Sequence, residues 1–149
     1  MTSYTPSDLD ARKLHQCLLG GIAPRPIAFV STQDRQGRVN LAPFSYFNVF
    51  SANPPLLVFS PARRGRDGTT KHTWDNVQHV QEAVVNLVDH AMVHACSLAS
   101  TDYAEGVDEF VKTGLTPLAS DAVSPPRVAE SPVQLECKVV KLESLGEHG

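Results

Sequence analysis

Prolines cut the β-forming stretches of this chain into short pieces, and any fold it adopts must accommodate those cuts. Pro24 and Pro26 stand at the head of Ile27-Ala-Phe-Val-Ser-Thr32, Pro43 interrupts the stretch from Val39 to Phe50, and Pro54-Pro55 precede Leu56 to Phe59. Proline has no N–H to give a sheet ladder, so a strand carrying one ends there, bulges there or lies at an edge. Short strands separated by such turn signals predict a mainly β fold, a barrel with a few helical inserts.

Capping and periodicity locate the inserts. Residues 7–19 predict a helix with Ser7 as N-cap, Asp10 completing a variant capping box, Leu14 and Leu18 on one face, and Gly20-Gly21 ending it. Residues 26–32 predict a strand and 33–37 a turn. Residues 39–42 and 45–50 predict strand broken near Pro43, and residues 56–59 a short buried strand. Thr73 caps a predicted helix over 73–82, with Trp74, Val77 and Val80 near one face. Residues 83–88 predict a strand with Asn86 in its middle, 92–98 a second short helix and 107–112 a weaker one. Residues 113–132 hold four of the eleven prolines and predict an ordered surface loop. Residues 132–142 alternate apolar and polar, the clearest half-buried strand, and 145–149 read as a turn leading onward. No repeat or linker divides residues 1–149, which predict one domain.

Charge and composition exclude several classes. A net charge of −3 argues against a nucleic-acid binder, and no run approaches the ~20 apolar residues that cross a bilayer. The first residues lack the basic and apolar regions of a secretory signal. Cys17, Cys96 and Cys137 are odd in number and widely spaced, which predicts a reducing, cytoplasmic setting. His90 and His94 are four apart, but no acidic motif accompanies them, so no metal site is expected. Gly-x-Gly-x-x-Gly and Gly-x-Ser-x-Gly are both absent, and Asp108-Glu109 reads as a solvated pair.

Two segments carry chemistry. Arg63-Arg64-Gly-Arg66-Asp-Gly-Thr-Thr-Lys71-His-Thr73 gathers cations, hydroxyls and glycines just before a predicted helix start, where an anion could dock. The same residues also describe a solvated basic loop with an ordinary cap. In Asn40-Leu-Ala-Pro-Phe-Ser-Tyr-Phe-Asn48, the side chains of Ser45, Tyr46 and Asn48 could hydrogen-bond a planar heterocycle or satisfy backbone at a bulge. Arg25, between prolines, is either a surface charge or a rigidly presented cation, and Asn86 reads as a structural tie between strands. Together the segments suggest a flavin mononucleotide (FMN) site whose phosphate and ring are handled separately.

The run Ala23-Pro-Arg-Pro-Ile-Ala-Phe-Val-Ser-Thr32, then Asn40 to Asn48, then Asn53-Pro-Pro55, resembles the flavin reductase-like, FMN-binding split-barrel family, in its flavoredoxin-type branch. Lys71-His-Thr73 with Asn76, Val84 to Val88, Gly106-Val-Asp-Glu-Phe110, Gly114-Leu-Thr116, Pro126-Arg-Val128 and Glu136-Cys137 continue the resemblance in order. It implies a split β-barrel homodimer with FMN near the subunit interface. It implies Ser45, Tyr46 and Asn48 beside the isoalloxazine, Ser60, Arg64, Lys71 and Thr73 near the phosphate, and Arg25 and Asn76 among the cofactor-binding residues. Activity would be NAD(P)H-dependent flavin reduction, with NAD(P)H a transient reductant and a monooxygenase as partner. A flavoredoxin-like electron carrier and a non-catalytic binding module are the alternatives. The chain departs from the family in having His72 where Asp is usual, and in length, which implies that C-terminal strands of longer members are lacking.

Overall fold

The computed structural model describes residues 3–145; of the turn expected over 145–149, residues 146–149 lie outside the described residues. At its centre is β1 (Ala28–Gln33), antiparallel to β2 (Val39–Phe44) on one side and to β5 (Glu82–Leu87) on the other. β8 (Gln134–Lys138) pairs antiparallel with β5, giving the sheet order β2-β1-β5-β8. Asp34 turns β1 into β2: its Oδ1 accepts from Gln36 N and Arg38 N, both at 2.9 Å, and Gly37 takes the φ of +82° that the turn needs.

The sheet is covered on both faces, as the period of two along β1 and β5 dictates. Ala28, Val30, Ala83 and Val85 face one way, onto Val77 of α2 (His72–His79) and Phe47, Leu57 and Phe59 of the hairpin β3 (Phe47–Ala52) and β4 (Pro55–Phe59). Phe29 and Leu41 face the other way, onto Met92, Ala99 of α3 (Val93–Ala99), Phe110 of α4 (Glu109–Thr113) and Val128. Asn86, fully buried in β5, donates to Phe29 O (2.9 Å) and accepts from Val128 N (2.9 Å), the structural tie expected of it.

Several elements differ from expectation. β2 runs through Pro43, and the break falls after Phe44; β2 is an edge strand, so the missing N–H costs no ladder bond. The first helix, α1 (Ala11–Gly21), is capped by Asp10, whose Oδ1 accepts from Lys13 N at 2.8 Å, not by Ser7, and it runs through both glycines. α2 begins at His72; Thr73 lies inside its first turn and caps nothing. The hairpin is buried on one face only: Phe50 is 75% exposed, and Val49 and Val58 are also open. Within residues 113–132 a short ladder joins β6 (Pro117–Leu118) to β7 (Arg127–Val128). Carboxylates hold the rest of that loop, Glu136 accepting from Asp121 N and Ala122 N and Glu82 from Ser124 N. The hairpin and the four-stranded sheet are separate hydrogen-bonded sheets, so ladder bonds close no barrel among the described residues.

Candidate functional site

The loop after β4 is stiffened by its own backbone. Arg64 N donates to Thr69 O and Gly68 N to Arg64 O, both at 2.8 Å, and Gly68 supplies the φ of +70° that this bend requires. Asp67 accepts from Thr69 N (3.0 Å), Thr69 Oγ1 (2.6 Å) and Arg66 Nε (3.0 Å). The Thr69 hydrogen bonds, then Arg66, hold its carboxyl down at about 2. Arg64, with 14% of its side chain exposed, lies against this bend: Nη1 donates to Thr69 Oγ1 (3.3 Å) and to Thr70 O.

The cations of the loop converge on a half-open cavity of about 400 Å³ between β2, the loop and the turn leaving α3; Arg63, Arg64, Arg66 and Lys71 line it. Asp102, across the cavity, accepts from Arg64 Nε (2.9 Å) and pairs with Arg66 Nη1 (3.0 Å). Lys71 is half-buried with its ammonium 5.3 Å from the Phe44 ring centroid. Burial, then the Arg64 charge, lowers its pKa, while Asp102 acts in the opposite sense. A half-desolvated ammonium beside a guanidinium is a strained pair that an anion would relieve.

Glu109 is the residue the sequence misread. It is not solvated but 5% exposed, its Oε2 accepting from Leu41 N at 3.0 Å, and burial raises its carboxyl above the usual range. It borders the same cavity. The signal available was its place in Gly106-Val-Asp-Glu-Phe110, one of the runs that carried the resemblance.

The expected site residues separate into groups. Arg64, Lys71 and Thr73 border the cavity. Thr73, however, is 1% exposed, and its hydroxyl accepts from Asn40 Nδ2 at 3.0 Å. Asn76 is buried too, donating to Thr32 Oγ1 at 3.1 Å, and borders a neighbouring cavity of about 380 Å³ that shares Asn40 and His72 with the first. Ser45 and Tyr46 are half-buried in the break between β2 and β3, with Tyr46 Oη 3.1 Å from His15 Nδ1 of α1. Ser60, at the end of β4, is tied to that break by its N–H donating to Tyr46 O at 2.9 Å. Asn48 is exposed on β3 and accepts from Val49 N at 2.8 Å. Arg25 closes α1, donating from Nη1 to Leu19 O (2.9 Å) and Ile22 O; its Nε is buried without a partner. Among the described residues, no group of three His, Cys, Asp or Glu could hold a metal, and no helix is long and apolar enough to cross a membrane.

An antiparallel sheet packed on both faces is flanked by a hairpin and by a cationic cavity. Residues 20–149 match the flavin reductase like domain, and the chain belongs to that family. It is similar to an uncharacterised protein of Halalkalibacterium halodurans, 42% identical over 144 residues, covering 97% of this chain and 68% of the relative. Its structure resembles nitrilotriacetate monooxygenase component B from Bacillus cereus (TM-score 0.91, 32% identity, 99% of this chain and 74% of that one). A Shewanella frigidimarina protein with a split barrel domain is similar at TM-score 0.80 and 26% identity, over 99% of this chain and 74% of that one.

Proposed function

We propose that this chain is an FMN-binding, NAD(P)H-dependent flavin reductase that supplies reduced flavin to a partner monooxygenase. The observation that carries the reading is the convergence of Arg64 and Lys71 on one half-open cavity at the start of α2. A phosphate monoester there would meet a guanidinium fork, an ammonium and the positive N-terminal end of α2. The donor set fits a dianion: burial and the Arg64 charge both disfavour the Lys71 ammonium, and a negative partner would ease both. Ser45, Tyr46 and Asn48 would present donors to the pyrimidine edge of the ring, Ser60 would stand toward the phosphate, and Arg25 would hold the preceding segment rigid.

When bound, FMN supplies the redox chemistry by exchanging hydride with a nicotinamide, which is why no base or nucleophile is needed from the chain. The residues' task is to bind and orient, with donors aimed where negative charge develops. A homodimer is supported by α1, which buries no residue in this chain, and by Val49, Phe50 and Val58 on the open hairpin face. The monooxygenase partner rests on similarity to a component B. Three free cysteines fit a reducing cytoplasm.

The test is an FMN titration followed by absorbance, together with NADH and NADPH oxidation. The wild type should take up FMN and oxidise a nicotinamide. Replacing both Arg64 and Lys71 by Ala should weaken FMN by at least about a hundredfold, since each charged hydrogen-bond donor contributes about 1.5–3 kcal/mol. A protein that ignores FMN, or a double variant with unaltered affinity, would remove the assignment. FMN uptake without nicotinamide oxidation would favour the electron carrier.

A further inference from the structure

The cavity already contains an anion of the protein's own. Asp102 lies on the turn that leaves α3, where Thr101 N donates to Leu98 O at 3.1 Å, and its side chain is 44% exposed. Its two oxygens are divided between two guanidinium groups, Oδ1 taking Arg64 Nε at 2.9 Å and Oδ2 taking Arg66 Nη1 at 3.0 Å. Its charge also reaches Lys71, whose ammonium it favours. One carboxylate is thus paired with two of the cavity's cations and favours the charge of a third. Two oxygens held by two guanidinium groups copy the way a phosphate is gripped.

Resting on the reading that Arg64 and Lys71 meet a flavin phosphate, we infer that Asp102 is a resident anion in that cradle, which an incoming phosphate monoester must displace. The exposed turn lets Asp102 swing outward, and the displaced carboxylate stays tethered nearby, ready to return. Its return helps expel the ligand. The site is thereby set for an exchangeable flavin rather than a permanently held one, which suits a protein that hands reduced flavin to another.

The displacement makes a signed prediction. With Asp102→Asn, FMN should bind about fivefold more tightly, chiefly through slower release, because a partly exposed ion pair contributes up to about 1 kcal/mol. Riboflavin, which has the same ring and no phosphate, should bind the wild type and the variant alike. Raising salt should shrink the FMN difference. Asp102→Ala provides a second variant with the same expectation and without an amide to re-form the contacts. Equal or weaker FMN binding in both variants, while Arg64→Ala still weakens FMN, would overturn the inference and make Asp102 a group that positions Arg64. Tighter riboflavin binding in step with FMN would overturn it as well. If Arg64→Ala and Lys71→Ala each spare FMN, the phosphate reading beneath it fails instead.

Discussion

Two polar clusters meet at the first turn of α2, and they are built on opposite principles. Thr32, Asn40, Thr73 and Asn76 are all buried and spend their hydrogen bonds on one another, with Asn40 donating to Thr73 and Asn76 to Thr32. Arg64, Arg66 and Lys71 stand a few residues away on a cavity wall, with Asp102 as the carboxylate facing them. The first cluster is closed: each side chain answers a neighbour, and together they hold α2 against β1 and β2. The second has more cation than anion and opens to solvent. Mutual satisfaction in a dry place marks structure, and unbalanced charge at a cavity marks a place for a ligand.

The largest expected effect falls on the closed cluster. Asn76→Leu removes the donor to the fully buried Thr32 hydroxyl, and should cost about 1–3 kcal/mol of stability in a urea melt. It should leave the ratio of FMN to riboflavin affinity unchanged, whereas Arg64→Ala should alter that ratio. A selective loss of FMN in Asn76→Leu would break the contrast and return Asn76 to the binding residues.

How far the sequence could be read follows the same division. The β8 alternation, the structural role of Asn86 and the turn at Gly37 were legible because each depends on neighbours in the chain or on a period of two. The gathering of Arg64 and Lys71 was legible because they stand in one loop. Thr73 misled because a hydroxyl before a helical pattern suits a cap equally well, and only the approach of Asn40, 33 residues away, shows it buried. Glu109 was hidden for the same reason: its partner is the edge N–H of Leu41, 68 residues off. The openness of the hairpin could not be read either, since an apolar run such as Leu56 to Phe59 looks alike in a core or at an uncovered face. Of the split barrel expected, the described residues form two sheets that no ladder bond joins.

Glu109 stands where the clusters touch, and it sharpens the comparison through pH. Its folded-state pKa is raised by burial, so between the unfolded value of 4.5 and that raised value the fold binds more protons than the unfolded chain. Stability from this group is therefore full below 4.5 and falls as pH rises through the raised pKa. Glu109→Gln keeps an oxygen for Leu41 N and removes the charge. Thermal melts should show the variant at least as stable as wild type at pH 7, with the advantage gone in acid. A variant less stable at pH 7 would mean that the ionised carboxylate is needed, and would place Glu109 with the charged cluster.

The smallest effect is expected at Asp67, which lies on the charged side and titrates in the opposite sense. Its pKa is lowered from 3.8 to about 2, so its contribution is present above 3.8 and lost only as pH falls through about 2. The carboxylate is exposed and its partners are in its own loop, so Asp67→Asn should barely move the melting temperature at pH 7. FMN affinity should fall slightly, because Thr69 loses its anchor and Arg64 packs against Thr69. The pH dependence separates the two carboxylates. Over the interval from neutral pH down to about 4 the loop keeps its Asp67 contacts intact, whereas burial makes Glu109 take up its proton above the usual carboxylate range. Any loss of FMN over that interval that survives Asp67→Asn and vanishes in Glu109→Gln would therefore come from the buried carboxyl on the cavity wall. A loss that tracks Asp67 instead would mean that the bend is less rigid than its backbone hydrogen bonds imply.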